Sequence, residues 1–450
     1  MPVEIEVPRG AFKGHAQQHV WALKPDPELS HVGPGTPCGE YLRRYWMPVA
    51  MTQQVGDLPL RIRILGEDLV LFREKGGKLG LLHLHCCHRN MSLEFGIVEE
   101  GGIRCSYHGW KYATDGTILE TPCEPPASQV RTKACMGAYP VVEFKGIAFA
   151  YMGPADDIPP FPVFDTFHEE GDEMVPFLIP SPCNWLQVME NAWDPFHSVY
   201  LHTRAARVQF IDAFAEMPRI EFFDRPFGAF YTNTRRVGDI IWLRVHDKLL
   251  PSFTQNGAHF PVPDGPRYFG RCGLTRWVVP VDETNTLVIA WRHFRDGDDP
   301  NGLTDKSQVG LNMVDFYGQT GDRSYEQRQR DPGDWDAWVS QGPVNVHARE
   351  NLSFTDRGIA KVRRNLRDAI RNVKEGGKAP QPALIYDGVI PTYGGDTMLR
   401  IPKNNEDDDR VLKHVAHKVA EIYVSGDRYR GDERYDFIRS RLRQFEADPA

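Results

Sequence analysis

The sequence predicts an α+β chain: a small all-β unit, then a larger unit that starts in strands and ends in helices. Three observations carry this. Residues from about 45 to 150 fall into short apolar-rich runs broken by glycine-rich turns. A proline-rich stretch, 154–182, follows them. Beyond it, strand-like alternation over about 218–295 gives way to apolar residues three and four apart over about 336–445.

Taken in order, residues 1–40 are polar and rich in Pro and Gly, ending in Val32-Gly-Pro-Gly-Thr-Pro-Cys38, and read as an arm. Met1 to Lys13 shows neither a long apolar core nor a small-residue cleavage site, so no secretory signal is expected. Residues 41–153 make the all-β unit, with strands expected at Leu60 to Ile64, Asp68 to Phe72, Leu79 to Leu84 and Gly146 to Met152. Seven prolines between 154 and 182 mark a connector. The second unit, 183–450, carries expected strands at Phe227 to Arg236, Asp239 to Val245 and Leu287 to His293. Helices are expected at Asp336 to Leu352, Arg357 to Lys374, Val411 to Val424 and Tyr435 to Phe445. The run from Glu406 to Asp409 reads as a solvated loop.

Length alone, 450 residues at about 150 per domain, suggests about three units; the segmentation gives two. With 53 Lys and Arg against 61 Asp and Glu, the net charge is −8, which argues against a nucleic-acid surface. No stretch approaches the ~20 apolar residues of a membrane span. Eight cysteines are too few for a disulfide scaffold, and none follows Cys272. A cytoplasmic chain with clustered cysteines points to metal ligation.

The densest signal is His83-Leu-His-Cys-Cys-His-Arg89, followed by Cys105-Ser-Tyr-His-Gly-Trp110. Cys86-x-His88 and Cys105-x-x-His108 are two short Cys/His pairs with 16 residues between them. Two thiolates and two imidazoles suit either a tetrahedral zinc site or a Rieske [2Fe–2S] cluster, in which Cys holds one iron and His the other. Mixed pairs on short loops in a β-rich context favour the second. With Arg89 after the first His and Gly109-Trp110 after the second, the stretch resembles the Rieske family. The resemblance implies Cys86, His88, Cys105 and His108 as cluster ligands. Cys87 stands where relatives often have Pro or Ala; it is expected to be a packed, non-ligating thiol. His83 and His85 are expected to be ordinary strand or loop side chains.

The second stretch is Glu190-Asn191-Ala-Trp-Asp194-Pro-Phe-His197-Ser-Val-Tyr-Leu-His202. Asp194 and His197, three apart, share a helix face. His197 and His202 lie about 140° apart on an ideal helix, so the helix must bend or end if both serve one centre. A non-haem Fe(II) site needs two imidazoles and a carboxylate on one face. The string resembles the mononuclear-iron motif of Rieske oxygenase large subunits, in the phthalate-dioxygenase-like branch that includes aromatic O-demethylases. That likeness implies His197 and His202 as iron ligands, with Asp194, beside Asn191, bridging electrons from His108. The third ligand is assigned to Asp334, with Asp336 as its rival.

The resemblance spans roughly residues 30 to 375. It implies a Rieske β-domain joined to a helix-grip catalytic domain with an antiparallel sheet. It further implies a terminal oxygenase using O₂ and NAD(P)H electrons, delivered by an iron–sulfur reductase that commonly carries flavin. Such subunits are commonly trimers, with the working electron path crossing between neighbours. The expected reaction is hydroxylation of a small aromatic compound, in particular an aromatic carboxylate, by ring dihydroxylation or monooxygenation; O-demethylation is the alternative. A Rieske electron carrier would need no second iron, and the His197/His202 string stands against it. Arg244, with Arg235 and Arg236 beside it in sequence, is the expected carboxylate clamp. Phe222, Phe223, Phe227, Phe230, Tyr231 and Trp242 are expected to pack as core before any of them lines a pocket.

Overall fold

The computed structural model describes residues 22–257, 267–295, 305–315, 318–386, 388–403 and 407–449; Met1 to Lys13 lie outside them. Strand β3 (Glu67–Arg73) shows how the first unit is held. Its Leu69 and Leu71 enter one core cluster, while Val70 and Phe72 enter another. A strand buried on both faces is apolar throughout, as this run is. The second cluster also contains Cys86, Cys105 and Trp110, so the loops bearing them rest on packed side chains.

The other strands of this unit are β1 (Met47–Met51), β2 (Leu60–Ile64), β4 (Leu79–His83), β5 (Ile97–Glu99) and β6 (Gly102–Arg104). They are followed by β7 (Lys111–Tyr112), β8 (Ile118–Glu120), β9 (Ala138–Tyr139), β10 (Val141–Phe144) and β11 (Ile147–Ala150). Three antiparallel sheets result, ordered β2-β3-β4-β9, β5-β6-β7-β8 and β1-β11-β10.

After β12 (Val163–Phe164) come β13 (Glu173–Ser181), β14 (Arg219–Arg225), β15 (Gly228–Val237) and β16 (Ile240–Leu249). Then follow β17 (Phe253–Gly257), β18 (Arg267–Pro280), β19 (Thr286–Phe294), β20 (Val389–Ile390) and β21 (Gly395–Arg400). Apart from β12 and β20, which pair with each other, these strands form one antiparallel sheet in the order β13-β19-β18-β17-β16-β15-β14. β21 shares a slot with β17, pairing with both β16 and β18.

Period-two patterning divides this sheet. Phe230, Leu243 and Val245 lie under the helices Asp408–Ser425 and Gly431–Ala447, against Val415, Val419, Ile438 and Leu442. Tyr231, Asn233, Arg244 and His246 alternate with them and face a cavity. The α+β class follows directly from this arrangement.

The Arg357–Lys374 helix has the expected bounds and buries Ile359, Val362, Leu366, Ile370 and Val373. Each such side chain contributes about 1.5–3 kcal/mol. Four expectations need correction. The expected Asp336-to-Leu352 helix is Asp334–Val339 instead; Gly342 at φ +97° and Pro343 end the periodic stretch. Within the arm, Pro27–Ser30 and Pro37–Leu42 are short helices, and Asp26 and Glu28 pair with Arg367 and Arg371. The end of the connector is strand β13, whose partner β19 accepts its prolines at the sheet edge. Glu406 of the acidic run lies outside the described residues; the rest starts a helix, which Asp407 caps, and Asp408 and Asp409 pair with Arg236 and Arg219. Acidic side chains suit that end of a helix dipole.

Candidate metal centres

Two loops of the first unit, Cys86–Met91 and Cys105–Trp110, repeat one hydrogen-bond pattern. The cysteine N–H donates to the carbonyl five residues on, Met91 at 2.9 Å and Trp110 at 2.8 Å. The N–H four residues on donates back to the cysteine carbonyl, from Asn90 at 2.8 Å and Gly109 at 3.0 Å. Cys86 and Cys105 are buried, while His88 and His108 remain half-exposed, with ring centroids 4.6 Å apart. Trp110 stacks on His88 at 4.3 Å, and the Tyr112 hydroxyl lies 2.9 Å from Cys86 Sγ.

Burial raises the Cys105 thiol above its ordinary value, so thiolates here need a cation-bearing partner. Two inner sulfurs and two outer imidazoles fit a Rieske [2Fe–2S] cluster. Tyr112 is a contact that spacing alone did not mark. Cys87 is an exposed residue rather than a packed one, although its Sγ lies 3.6 Å from Tyr112 Oη. Local partners account for the other two imidazoles: His83 Nε2 lies 3.3 Å from Glu67, and His85 Nδ1 lies 3.2 Å from the Asn90 carbonyl.

The second centre is assembled by three short helices. Trp185–Asn191 is N-capped by Asn184, and Gln187 Nε2 donates to the carbonyls of Trp338 and Gly342. Arg363 grips Glu190 through two hydrogen bonds of 2.5 and 2.8 Å. After Asn191 the helix breaks, and Asp194 accepts the Phe196 N–H at 3.0 Å. The next helix, His197–Tyr200, ends before His202, which removes the 140° conflict of a regular helix. Asp334 opens the third helix after Gly333, where a Cβ would lie 2.2 Å from the Gly318 carbonyl oxygen.

These breaks bring His197 Nε2 to 3.3 Å and His202 Nε2 to 3.4 Å from Asp334 Oδ1. The three donor atoms lie within 4.8 Å of one another and could hold a metal ion. Two imidazoles and one carboxylate form the donor set of a facial non-haem iron site. Asn191 Nδ2 donates to Asp334 Oδ1 at 3.2 Å, and Gln319 Nε2 to Oδ2 at 2.9 Å. His202 Nδ1 lies 2.8 Å from Gln209 Oε1, while Gln209 Nε2 donates to Asp331 and Pro332. That contact selects the Nδ1–H tautomer and leaves the Nε2 lone pair facing the centre. Gln209 and Gln319 belong to no spacing pattern that would have marked them. Asp336 is turned elsewhere, to Arg323, Arg328 and the Gly333 N–H.

The electrostatics agree with this donor set. Burial works against the Asp334 anion, yet the two imidazoles hold it well below the usual carboxylate range. Burial likewise opposes the His197 cation, but Asp194 and Asp334 push its pKa up to about 10. The carboxylates thus draw positive charge to the point where the three donors converge. His197 Nδ1 is 3.7 Å from Asp194 Oδ2 and has no hydrogen-bond partner among the described residues.

The adjoining cavity is lined by Phe210, Phe214, Tyr231, Arg244 and Arg276 among others. Arg244 Nε donates to Asp396 at 3.2 Å. Arg235 is fully buried and donates to Ser198 Oγ and the Glu216 carbonyl; Arg236 is drawn outward to Asp408. Of the six aromatics, Tyr231 reaches the cavity. Phe223 stacks on Phe230 and Phe222 on Trp193, away from it.

The Rieske [2Fe–2S] domain family matches residues 45–140. Over 97% of both chains, the sequence is 41% identical to the oxygenase subunit of tert-butanol monooxygenase / tert-amyl alcohol desaturase from Aquincola tertiaricarbonis. The chain belongs to the Rieske oxygenases. A second Rieske oxygenase relative, the phenoxybenzoate dioxygenase alpha subunit of Ectopseudomonas oleovorans, is 40% identical over 90% of this chain and 97% of its own. The crystal structure of dicamba monooxygenase bound to dicamba shares the fold, with a TM-score of 0.58 at 18% identity, over 74% of this chain and 99% of that one. The protein is therefore the terminal oxygenase component of a Rieske system, working with O₂ and a reductase or ferredoxin partner. Its cofactors are a [2Fe–2S] cluster and a mononuclear iron. No described helix is long and apolar enough to cross a membrane.

Proposed function

We propose that this oxygenase hydroxylates an aromatic carboxylate at an iron held by His197, His202 and Asp334. Cys86 and Cys105 would hold one iron of the cluster, and His88 and His108 the other. The observation that carries this reading is the convergence of two Nε2 atoms and Asp334 Oδ1 beside a cavity walled by Phe210, Phe214 and Tyr231. When bound, the iron supplies O₂ activation, with an electron from the cluster.

The chain's own residues hold the geometry. Asn191 and Gln319 fix the Asp334 carboxylate, and Gln209 fixes the His202 ring. Asp194, beside His197, is the electron bridge. The bridge runs to His108 of a neighbouring copy, in a trimer. The electron donor is an NAD(P)H-dependent, flavin-containing iron–sulfur reductase, and the reducing cytoplasm suits the two thiolate ligands. The working units are residues 41–153 and the segment from β13 onward, joined by 154–172.

The two relatives differ in what their names say they act on, a tertiary alcohol and a phenoxybenzoate. The aromatic wall of this cavity supports the second kind of substrate. The test is metal content and product. Purified protein should be red-brown with about three irons per chain, two plus one. It should turn over benzoate-type acids to cis-diols or phenols, or release formaldehyde from methoxylated ones. Colourless protein with a single zinc overturns the reading.

A further inference from the structure

Two guanidinium groups line the cavity beside His197, His202 and Asp334, and they differ in what already holds them. Arg244 donates from Nε to Asp396 at 3.2 Å and lies 5.1 Å from the Phe214 ring and 5.3 Å from Trp242. A buried carboxylate and two aromatic faces therefore balance its charge. Arg276 is 7% exposed, and its one hydrogen bond among the described residues runs from Nε to Thr254 Oγ1 at 3.0 Å. Thr254 is its register partner across β17 and β18. Among the described residues neither Nη nitrogen has a hydrogen-bond acceptor or a carboxylate in an ion pair.

Burial favours the neutral forms of His246 and Lys248 in the surrounding wall, and the carboxylate that attracts Arg276 through space is Asp334. Asn256 Oδ1 accepts from Lys248 Nζ at 3.0 Å and lies 3.1 Å from His246 Nδ1. His246 Nε2 is buried without a partner among the described residues. The two carboxylates of the cavity, Asp194 and Asp334, are turned to the imidazoles. Leaving a buried cation unpaired is costly unless a ligand completes it. Burial also weakens the hold of Arg276 on its own proton, which points the same way.

We propose that Arg276 receives the substrate carboxylate on its two free Nη nitrogens, as a forked pair, while Phe214, Tyr231 and Leu274 pack against the ring. Guanidinium suits this task because its planar donors match the two carboxylate oxygens. Arg244 is then a wall residue held by Asp396, and the acid specificity of the cavity resides on β18. The inference rests on the reading of this cavity as the oxygenase's substrate site.

The test is anaerobic calorimetry on the iron-loaded protein, with benzoate and 3-phenoxybenzoate set against benzamide and 3-phenoxybenzamide. Wild type should bind an acid at least about tenfold more tightly than its amide. Arg276→Gln should bring that ratio close to one, with amide affinity changed by less than about threefold, because the neutral ligand never used the charge. Arg276→Lys keeps the charge without the fork and should give an intermediate ratio; it also decides the matter if the Gln variant does not fold. A wild-type ratio near one, no binding of either acid, or a ratio that survives Arg276→Gln but collapses in Arg244→Gln overturns the assignment. Such a result with about three irons per chain leaves the oxygenase reading standing. Protein without iron removes that reading instead, and the acid-to-amide ratio still decides the role of Arg276.

Discussion

Asn90 and Gly109 occupy equivalent places in the two loops that carry the cysteines. Each stands four residues after its cysteine at a left-handed φ, +60° and +73°, and donates its N–H to that cysteine's carbonyl. One loop uses asparagine and the other glycine because their surroundings differ. A Cβ at Gly109 would lie 2.7 Å from Pro122 Cγ.

Gly109→Ala should therefore disrupt the second loop. The left-handed backbone costs about 1–2 kcal/mol for an L side chain, and the Pro122 contact adds to it. The expected outcome is loss of most cluster absorbance and acid-labile sulfide per chain. Asn90→Gly keeps the backbone conformation and should retain both. Equal cluster content in the two variants would refute the steric account.

Legibility in the sequence followed the length scale of each interaction. The Arg357–Lys374 helix was readable because its buried face repeats every three or four residues. β3 was readable as an apolar run, although burial on both faces hides its alternation. The Cys/His pairs and the stretch from Asn191 to His202 were readable because their members are near neighbours in the chain. The Asp336-to-Leu352 helix was misread because Val339 and Val346, seven apart, imitate helical spacing across the Gly342-Pro343 stop. Gln209, Gln319 and Arg276 could not be read at all. Their roles depend on tertiary contacts and strand register, and nothing local distinguishes Arg276 from the other arginines of β18.

Asp334 and Asp336 differ by two positions and should behave as opposites. Asp334→Asn removes the anionic donor shared by His197 and His202. Iron should fall from about three to about two per chain while cluster absorbance persists. Asp336→Asn leaves Arg323 and Arg328 short of a counter-charge and weakens the bond from the Gly333 N–H. A stability loss of about 1–3 kcal/mol is expected, with iron retained in the folded protein. Denaturant melts with iron assays separate the two; iron loss confined to the Asp336 variant would reverse the assignment.

Asp194→Ala should separate metal loading from turnover. Asp194 is not among the three converging donors, and its backbone role is to accept the Phe196 N–H. Both centres should load, the cluster should still accept electrons from dithionite, and steady-state substrate oxidation should fall to background. Asp194→Asn can preserve the turn hydrogen bond but not the charge, and should be nearly as inactive. Substantial turnover in either variant would remove Asp194 from the electron path.

A pH effect on stability is expected outside the two donor sets, at His293 and Asp172. His293 Nδ1 lies 2.6 Å from Asp172 Oδ2 with both side chains fully buried, and Arg295 joins the same carboxylate at 3.0 Å. Burial disfavours the imidazolium, but the neighbouring Cys272 and the Asp172 carboxylate outweigh it and raise the pKa to about 9. Burial likewise opposes the Asp172 anion, whose pKa is nevertheless lowered by His293 and Arg295. A His raised from an ordinary value near 6.5 stabilises the fold fully below that pH, and the contribution is lost as pH rises through about 9. The size is of order 3 kcal/mol. The depressed Asp172 contributes in the opposite direction, losing its stabilisation as pH falls below the ordinary carboxylate range. Denaturant midpoints should therefore be highest between about pH 5 and 6.5 and decline steadily toward pH 9. His293→Gln, which cannot titrate, should lower stability at pH 6 and flatten the decline above it. An alkaline slope unchanged in that variant would place the titrating group elsewhere.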